Sequence, residues 1–156
     1  MGPMARTFGF ASDRVRRLTM VDSSGNVLQI DPVSEPELFW ALRGGKPDIG
    51  IVTELEFYLI DAASYYGGSI FYPGSQAATV LHEFSRWAPL LPESVSTSVV
   101  LLRLPDIPGV PEPLRGQTSV QLRFVHIGDL ASGVSLLAPM RAVVTPMIDL
   151  VDMTPS

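Results

Sequence analysis

The 156-residue chain contains no cysteine. A disulfide framework, a thiolate metal site and a cysteine nucleophile are therefore excluded. Basic residues are scarce as well: Lys and Arg total 11 against 16 Asp and Glu, a formal charge of −5. That balance gives no support to nucleic-acid binding, which requires a basic face. No apolar run approaches the roughly 20 residues of a membrane span. The start, Met1-Gly-Pro-Met-Ala-Arg-Thr7, lacks the apolar core of a secretory signal, and Arg6 stands where a myristoylation motif carries Ser or Thr. The expectation is a cytoplasmic protein with no membrane and no nucleic-acid partner. The common chemical motifs are missing too: no G-x-G-x-x-G, Walker A, H-E-x-x-H or G-x-S-x-G occurs.

What is present is a core-forming chain. The hydrophobic fraction is 46%, enough for one domain or two small lobes. Residues 15–30 predict a hairpin, Val15 to Val21 and Val27 to Ile30, turning on Gly25 or Asn26. A helix follows, with Ser34 as N-cap, Pro36 in the first turn and Glu37 completing a capping box. Gly44 or Gly45 supplies its left-handed stop. Gly50 then enters a strand over residues 50–60, in which Ile51, Thr53, Leu55, Phe57 and Leu59 alternate with Val52, Glu54, Glu56, Tyr58 and Ile60. That alternation predicts one buried face.

A break at 61–68 marks a lobe boundary, with Gly67-Gly68 as hinge. Ser69 to Tyr72 is a short strand, and Ser75 caps a helix whose Ala77, Val80, Leu81, Phe84, Trp87 and Ala88 form a core stripe. Strands at 96–104 and 117–127 flank a proline-rich loop. A last helix, capped by Asp129, runs to about Met140, and 143–152 is extended or irregular. The second lobe is thus an antiparallel sheet with helices on one side, and the chain is α+β. His82 and His126, the two histidines, read as surface or structural residues. Glu54 and Glu56 read as a solvated face.

Three segments carry a family resemblance. They are Gly9-Phe-Ala-Ser-Asp13-Arg-Val15; Glu37-Leu-Phe-Trp-Ala-Leu-Arg-Gly-Gly45 with Gly50-Ile-Val-Thr53; and Leu104-Pro105, Pro111-Glu-Pro-Leu-Arg-Gly116 and Phe124-Val-His-Ile-Gly-Asp129. In this order they resemble FAD-linked oxidases of the vanillyl-alcohol oxidase type, with a PCMH-type FAD-binding fold, in the bacterial berberine-bridge-enzyme-like branch. The resemblance implies that residues 1–60 are the second half of an FAD-binding domain and residues 61–156 a partial substrate lobe. It implies FAD as cofactor and oxidation of a small alcohol, amine, sugar or related molecule. Gly9 and Asp13 match a flavin-side turn, Gly50, Ile51 and Val52 a strand entry whose backbone meets the adenosine end, and Arg43 a structural arginine.

By the same resemblance, the pyrophosphate loop and the residues for covalent flavin attachment would precede residue 1, and a segment returning to the flavin would follow Ser156. Pro47, Asp48 and Ile49 replace the family's usual Gly, Asn and Phe, and Ser23-Ser24-Gly25 its Ala-Asp-Gly. The expectation is a fragment that binds FAD weakly or not at all unless a second chain supplies the missing subdomain. Two alternatives remain open: an interaction module that pairs through open strand edges, with another chain or with itself as a homo-oligomer, and a binding domain with an apolar pocket between the second sheet and its helices.

Overall fold

The computed structural model describes Gly2, residues 4–44 and residues 48–155. The expected stop at Gly45 and the stiff turn at Pro47 lie outside the described residues. The chain divides into two compact units, residues 8–61 and residues 62–155 with 4–7.

The first unit is a three-stranded antiparallel sheet with one helix. After a single helical turn, α1 (Ala5–Phe8), and a 3-10 turn at Ala11–Arg14, the chain enters β1 (Val15–Val21). β1 pairs with β2 (Val27–Ile30) on one side and with β3 (Ile51–Phe57) on the other, giving the order β2-β1-β3. Asp22 builds the hairpin turn: its Oδ1 accepts from the Ser24 and Asn26 amides at 2.8 and 2.9 Å, and Gly25 takes φ 82°. These bonds, led by the Asn26 side chain, hold the Asp22 carboxyl below the usual carboxylate range.

Helix α2 (Pro36–Gly44) lays Phe39 on Leu18, Met20 and Ile30 to close a small core. The capping box expected at Ser34 is not what starts it. Ser34 Oγ instead accepts from the Asp31 amide, and Asp31 Oδ1 accepts from the Val33 and Ser34 amides, both at 2.8 Å. Asp31 thus organises the turn, and Pro36 sits at the first helical position, where its missing N–H costs nothing. Gly44 is within the helix and has no positive φ.

β3 corrects the expectation of a buried face: all seven of its residues are exposed, Ile51 at 72% and Phe57 at 51%. The reason is position. β3 is an edge strand, and the single helix of this unit covers only the part of the sheet around Leu18, Met20 and Ile30.

The second unit is an antiparallel sheet of β4 (Ser64–Pro73), β5 (Val95–Arg103), β6 (Thr118–His126), β7 (Ile148–Asp149) and β8 (Asp152–Pro155), in the order β5-β6-β4-β7 with β8 also on β4. Helices α3 (Ala77–Trp87) and α4 (Leu130–Val143) cover one face. Between them and the sheet, Ile70, Tyr72, Val80, Leu122, Phe124, Leu137 and Met140 are fully buried. Around these residues the space is filled by side chains. Within it the Tyr72 hydroxyl donates to the Met140 carbonyl at 2.9 Å and the Trp87 indole N–H to that of Leu136 at 3.0 Å. The sequence-predicted core stripe holds: Val80 and Trp87 are buried, and Ala77, Phe84 and Ala88 pack against them.

Gly67-Gly68 is not a hinge. Both glycines lie inside β4, where a Cβ on Gly67 would sit 2.7 Å from the Phe124 carbonyl oxygen and one on Gly68 would strike that of Leu150. They let neighbouring backbone approach. Ser75 does not cap α3 either; it lies in a 3-10 turn, Gly74–Gln76, that runs directly into the helix. Asp129 does cap α4, accepting from the Ser132 amide at 2.8 Å and the Ser132 hydroxyl at 2.7 Å.

Candidate functional site

The five residues matched to a flavin edge all fall in the first unit, at two separate places. Gly9 takes φ 75°, a left-handed conformation that favours glycine. Asp13 Oδ2 accepts from the Phe10 amide at 3.0 Å, closing the turn that delivers the chain into β1. Asp13 therefore holds a local turn by its own side chain. Arg43 supports this end as a structural residue: its guanidinium lies 4.8 Å from the Phe39 ring centre and donates to the Ser12 carbonyl at 3.4 Å.

Gly50, Ile51 and Val52 lie at the other end of the sheet. Val15 pairs with Phe57 and Val21 with Ile51, so the whole of β1 separates the two clusters. Seven residues of strand span about 20 Å. The two clusters cannot share a compact ligand; only an extended one could touch both. Gly50 is also needed by the protein itself: a Cβ there would lie 2.5 Å from the Val21 carbonyl oxygen and against the Met20 methyl. Beyond Gly50, β3 has a strand neighbour on one side only among the described residues, so alternate residues from Ile51 onward turn their amide and carbonyl to its open edge. Such an edge fits the hydrogen-bonding pattern of an adenosine. Among the described residues it carries no cationic cradle for phosphates.

A second constellation was missed in the sequence. The helices of the second unit pack on the sheet face that carries Ile70, Leu122 and Phe124, so residues of opposite parity point to the other face. Ser69, Gln121 and Arg123 form a row there. Arg123 Nε and Nη2 donate to Gln121 Oε1 at 3.3 and 3.2 Å, and Gln121 Nε2 donates to Ser69 Oγ at 2.9 Å. Ser98 stands beside Arg123 on β5. The Gln121 amide is thereby fixed in orientation, and the Ser69 hydroxyl keeps its own proton for another acceptor. The row can hold a polar molecule laid on the sheet. The signal was the strict polar–apolar alternation of Ser119-Val-Gln-Leu-Arg-Phe124.

The expected solvated pair is confirmed as such: Glu54 Oε2 accepts from the Thr19 hydroxyl at 2.9 Å, and Glu56 pairs with Arg16 at 2.9 Å. His82 is exposed on α3, whereas His126 is buried. Among the described residues no group of three or more His, Asp or Glu could hold a metal, and no helix is long and apolar enough to cross a membrane.

No family model matches the chain. Individual proteins do. It is 39% identical over 61 residues to the (R)-6-hydroxynicotine oxidase of Paenarthrobacter nicotinovorans, which is 39% of this chain and 13% of that protein. It is 24% identical over 160 residues to an FAD-linked oxidoreductase of Aspergillus fumigatus, 90% of this chain and 32% of that one. Among solved structures, 6-hydroxy-D-nicotine oxidase from Arthrobacter nicotinovorans superposes with a TM-score of 0.78 at 24% identity, over 98% of this chain and 32% of that chain. The BBE-like 1 protein of Physcomitrella patens gives 0.73 at 19% identity, over 98% and 31%. The chain spans at most about a third of any of these. In sequence the chain is thus similar to FAD-linked oxidoreductases, and it has the fold of the corresponding part of 6-hydroxy-D-nicotine oxidase and of the BBE-like 1 protein.

Proposed function

We propose that the chain serves an FAD-dependent oxidation of a small organic molecule such as an alcohol, amine or sugar. Residues 1–60 would contribute an edge of the flavin site and residues 61–156 part of the substrate lobe. The observation that carries this reading is the sequence likeness to an FAD-linked oxidoreductase over 90% of the chain, in keeping with the oxidase fold over 98% of it. When bound, FAD would supply the redox chemistry, leaving binding, orientation and electrostatics to the protein. The Gly9–Asp13 turn and the open β3 edge at Ile51 and Val52 would meet the extended cofactor at two points. The Ser69–Gln121–Arg123 row would orient the substrate.

Tight binding would need more than these residues, because nothing described here cradles a pyrophosphate. In the relatives about two thirds of the protein or more lies outside the matched segment, and a second chain could supply that portion. Titration of the purified chain with FAD, followed by the flavin absorbance near about 450 nm, tests this reading. Weak binding is expected, rising when the complementary flavin subdomain of a relative is added. Stoichiometric, tight binding by the lone chain would contradict the shared-site reading, and no binding in either arm would contradict the flavin reading itself.

A second reading is an interaction module. It is favoured by the full exposure of β3, whose outer edge is an open template for strand pairing. Light scattering at increasing concentration separates the two readings, since a strict monomer counts against self-pairing.

A further inference from the structure

At the opposite face of the second sheet, between the lead-in to β5 and the first turns of α4, lies a pocket of about 580 Å³. Pro92, Ser94, Ser132, Ser135 and Leu136 line it together with His126. His126 is 4% exposed, and neither Nδ1 nor Nε2 has a hydrogen-bond partner among the described residues. A neutral imidazole presents one N–H donor and one bare acceptor. Buried polar atoms are paired in the large majority of native structures, and exceptions call for a cause. An imidazole unpaired at both nitrogens, in the wall of a pocket, points to a partner that comes from outside the chain.

The surroundings make room for that ring and for access to it. A Cβ on Gly128 would lie 2.5 Å from Nε2, and one on Gly133 would lie 3.0 Å from Cδ2. Gly128 is exposed and has no side chain, and its backbone lies against the Nε2 edge of the ring. The charges decide what kind of ligand fits. Among the described residues no Lys or Arg lines the pocket; the nearby Arg6 guanidinium is engaged by the Leu91 and Val95 carbonyls. Asp129, at the cap of α4, is held below the usual carboxylate range by the Ser132 amide and hydroxyl, so it stays ionised beside the pocket and repels anions. Serine hydroxyls and an imidazole suit a ligand rich in hydroxyls, and Pro92 and Leu136 offer apolar surface to its C–H face.

We propose that this pocket binds a neutral, polyhydroxylated small molecule of monosaccharide size, with one imidazole nitrogen of His126 as its hydrogen-bond partner. The site is independent of the flavin reading, because His126 points to the helix-covered face and the Ser69–Gln121–Arg123 row to the other.

Imidazole carbon–proton NMR signals test it on the intact chain. There are only two histidines, and His82, exposed on α3, is an internal control. Titration with D-glucose or myo-inositol is expected to shift the His126 signals saturably while leaving those of His82 in place. Ser135→Phe, at an exposed wall position, should weaken the response at least tenfold, and Ser94→Ala should weaken it by a smaller factor. No saturable shift, an equal response of His82, or a response untouched in both variants overturns the proposal. So does a saturable shift with inorganic phosphate in place of the sugars, which would make the pocket an anion site.

Discussion

Arg141 Nη1 donates to the Tyr66 hydroxyl at 2.7 Å, tying the last turns of α4 to the first half of β4. The same guanidinium grips Asp149 through Nε at 2.7 Å and Nη2 at 3.2 Å, so it also anchors β7. The Asp149 carboxylate raises the Arg141 pKa further above its already high value, with the Tyr66 bond adding to it. Both members of the ion pair are largely shielded from water, and a half-buried, bidentate pair outweighs a surface one. Arg141→Ala is expected to cost about 2 kcal/mol of stability. Arg141→Lys, which keeps the charge but loses the planar fork, should fall between it and the parent. Urea unfolding checks this, and an unchanged midpoint for the alanine variant would show that the network contributes nothing.

Tyr72 makes stability depend on pH at the alkaline end. Burial, reinforced by the Asp149 charge, pushes its hydroxyl up to about 12 from the ordinary 10.0. Between those values the folded chain keeps a proton that the unfolded chain has lost. Stability from this group is therefore complete below pH 10 and falls as pH rises toward 12. Two pKa units correspond to about 3 kcal/mol. Tyr72→Phe should be less stable than the parent at neutral pH, having lost the bond to Met140, yet show a flatter decline in that alkaline window. Equal slopes for the two proteins would refute the assignment to Tyr72.

Gly133 sets helix propensity against packing. It lies inside α4, where alanine would ordinarily gain about 1 kcal/mol. A Cβ at this position would sit 2.5 Å from Tyr66 Cδ1 and 3.0 Å from His126 Cδ2, both buried rings. Neither can move without disturbing the core, so Gly133→Ala is expected to destabilise by about 1–3 kcal/mol despite the better helix former. Thermal unfolding decides the sign. A stabilised variant would mean that α4 can ride outward at no cost.

These cases show which parts of the molecule were legible in its residues. Period and punctuation were: the hairpin around Asp22–Asn26, the α3 stripe, and the Asp129 cap each depend on residues close in sequence. What failed depended on partners far along the chain. The hinge reading of Gly67-Gly68 could not anticipate that Phe124 and Leu150 would press their carbonyls against them. The buried face expected for β3 was a sound inference from alternation, but burial needs a covering layer, and α2 covers only the middle of the sheet. The flavin-edge residues came from two separate motifs, a turn before β1 and the entry to β3. The register of β1 with β3 puts them at opposite ends of a strand. The Ser69–Gln121–Arg123 row was present as alternation in β6 and needed β4 beside it to become a site.

The exposed apolar face of β3 leads to the last prediction. Val52 stands beside Met20 and Leu55 beside Leu18 on the face that α2 partly covers, and both remain open to solvent. Glu54 and Glu56 guard only the opposite face, where Thr19 and Arg16 engage them. An apolar edge strand with one guarded face is prone to pair with another chain. Leu55→Lys places a charge on that strand without touching the Leu18–Met20–Ile30–Phe39 core. It should reduce concentration-dependent light scattering while changing unfolding stability by less than about 1 kcal/mol. If the parent chain stays monomeric across the same concentrations, or the variant scatters equally, association does not run through this strand. A large loss of stability in the variant would instead show that Leu55 contributes to the core of the first unit, contrary to its 50% exposure.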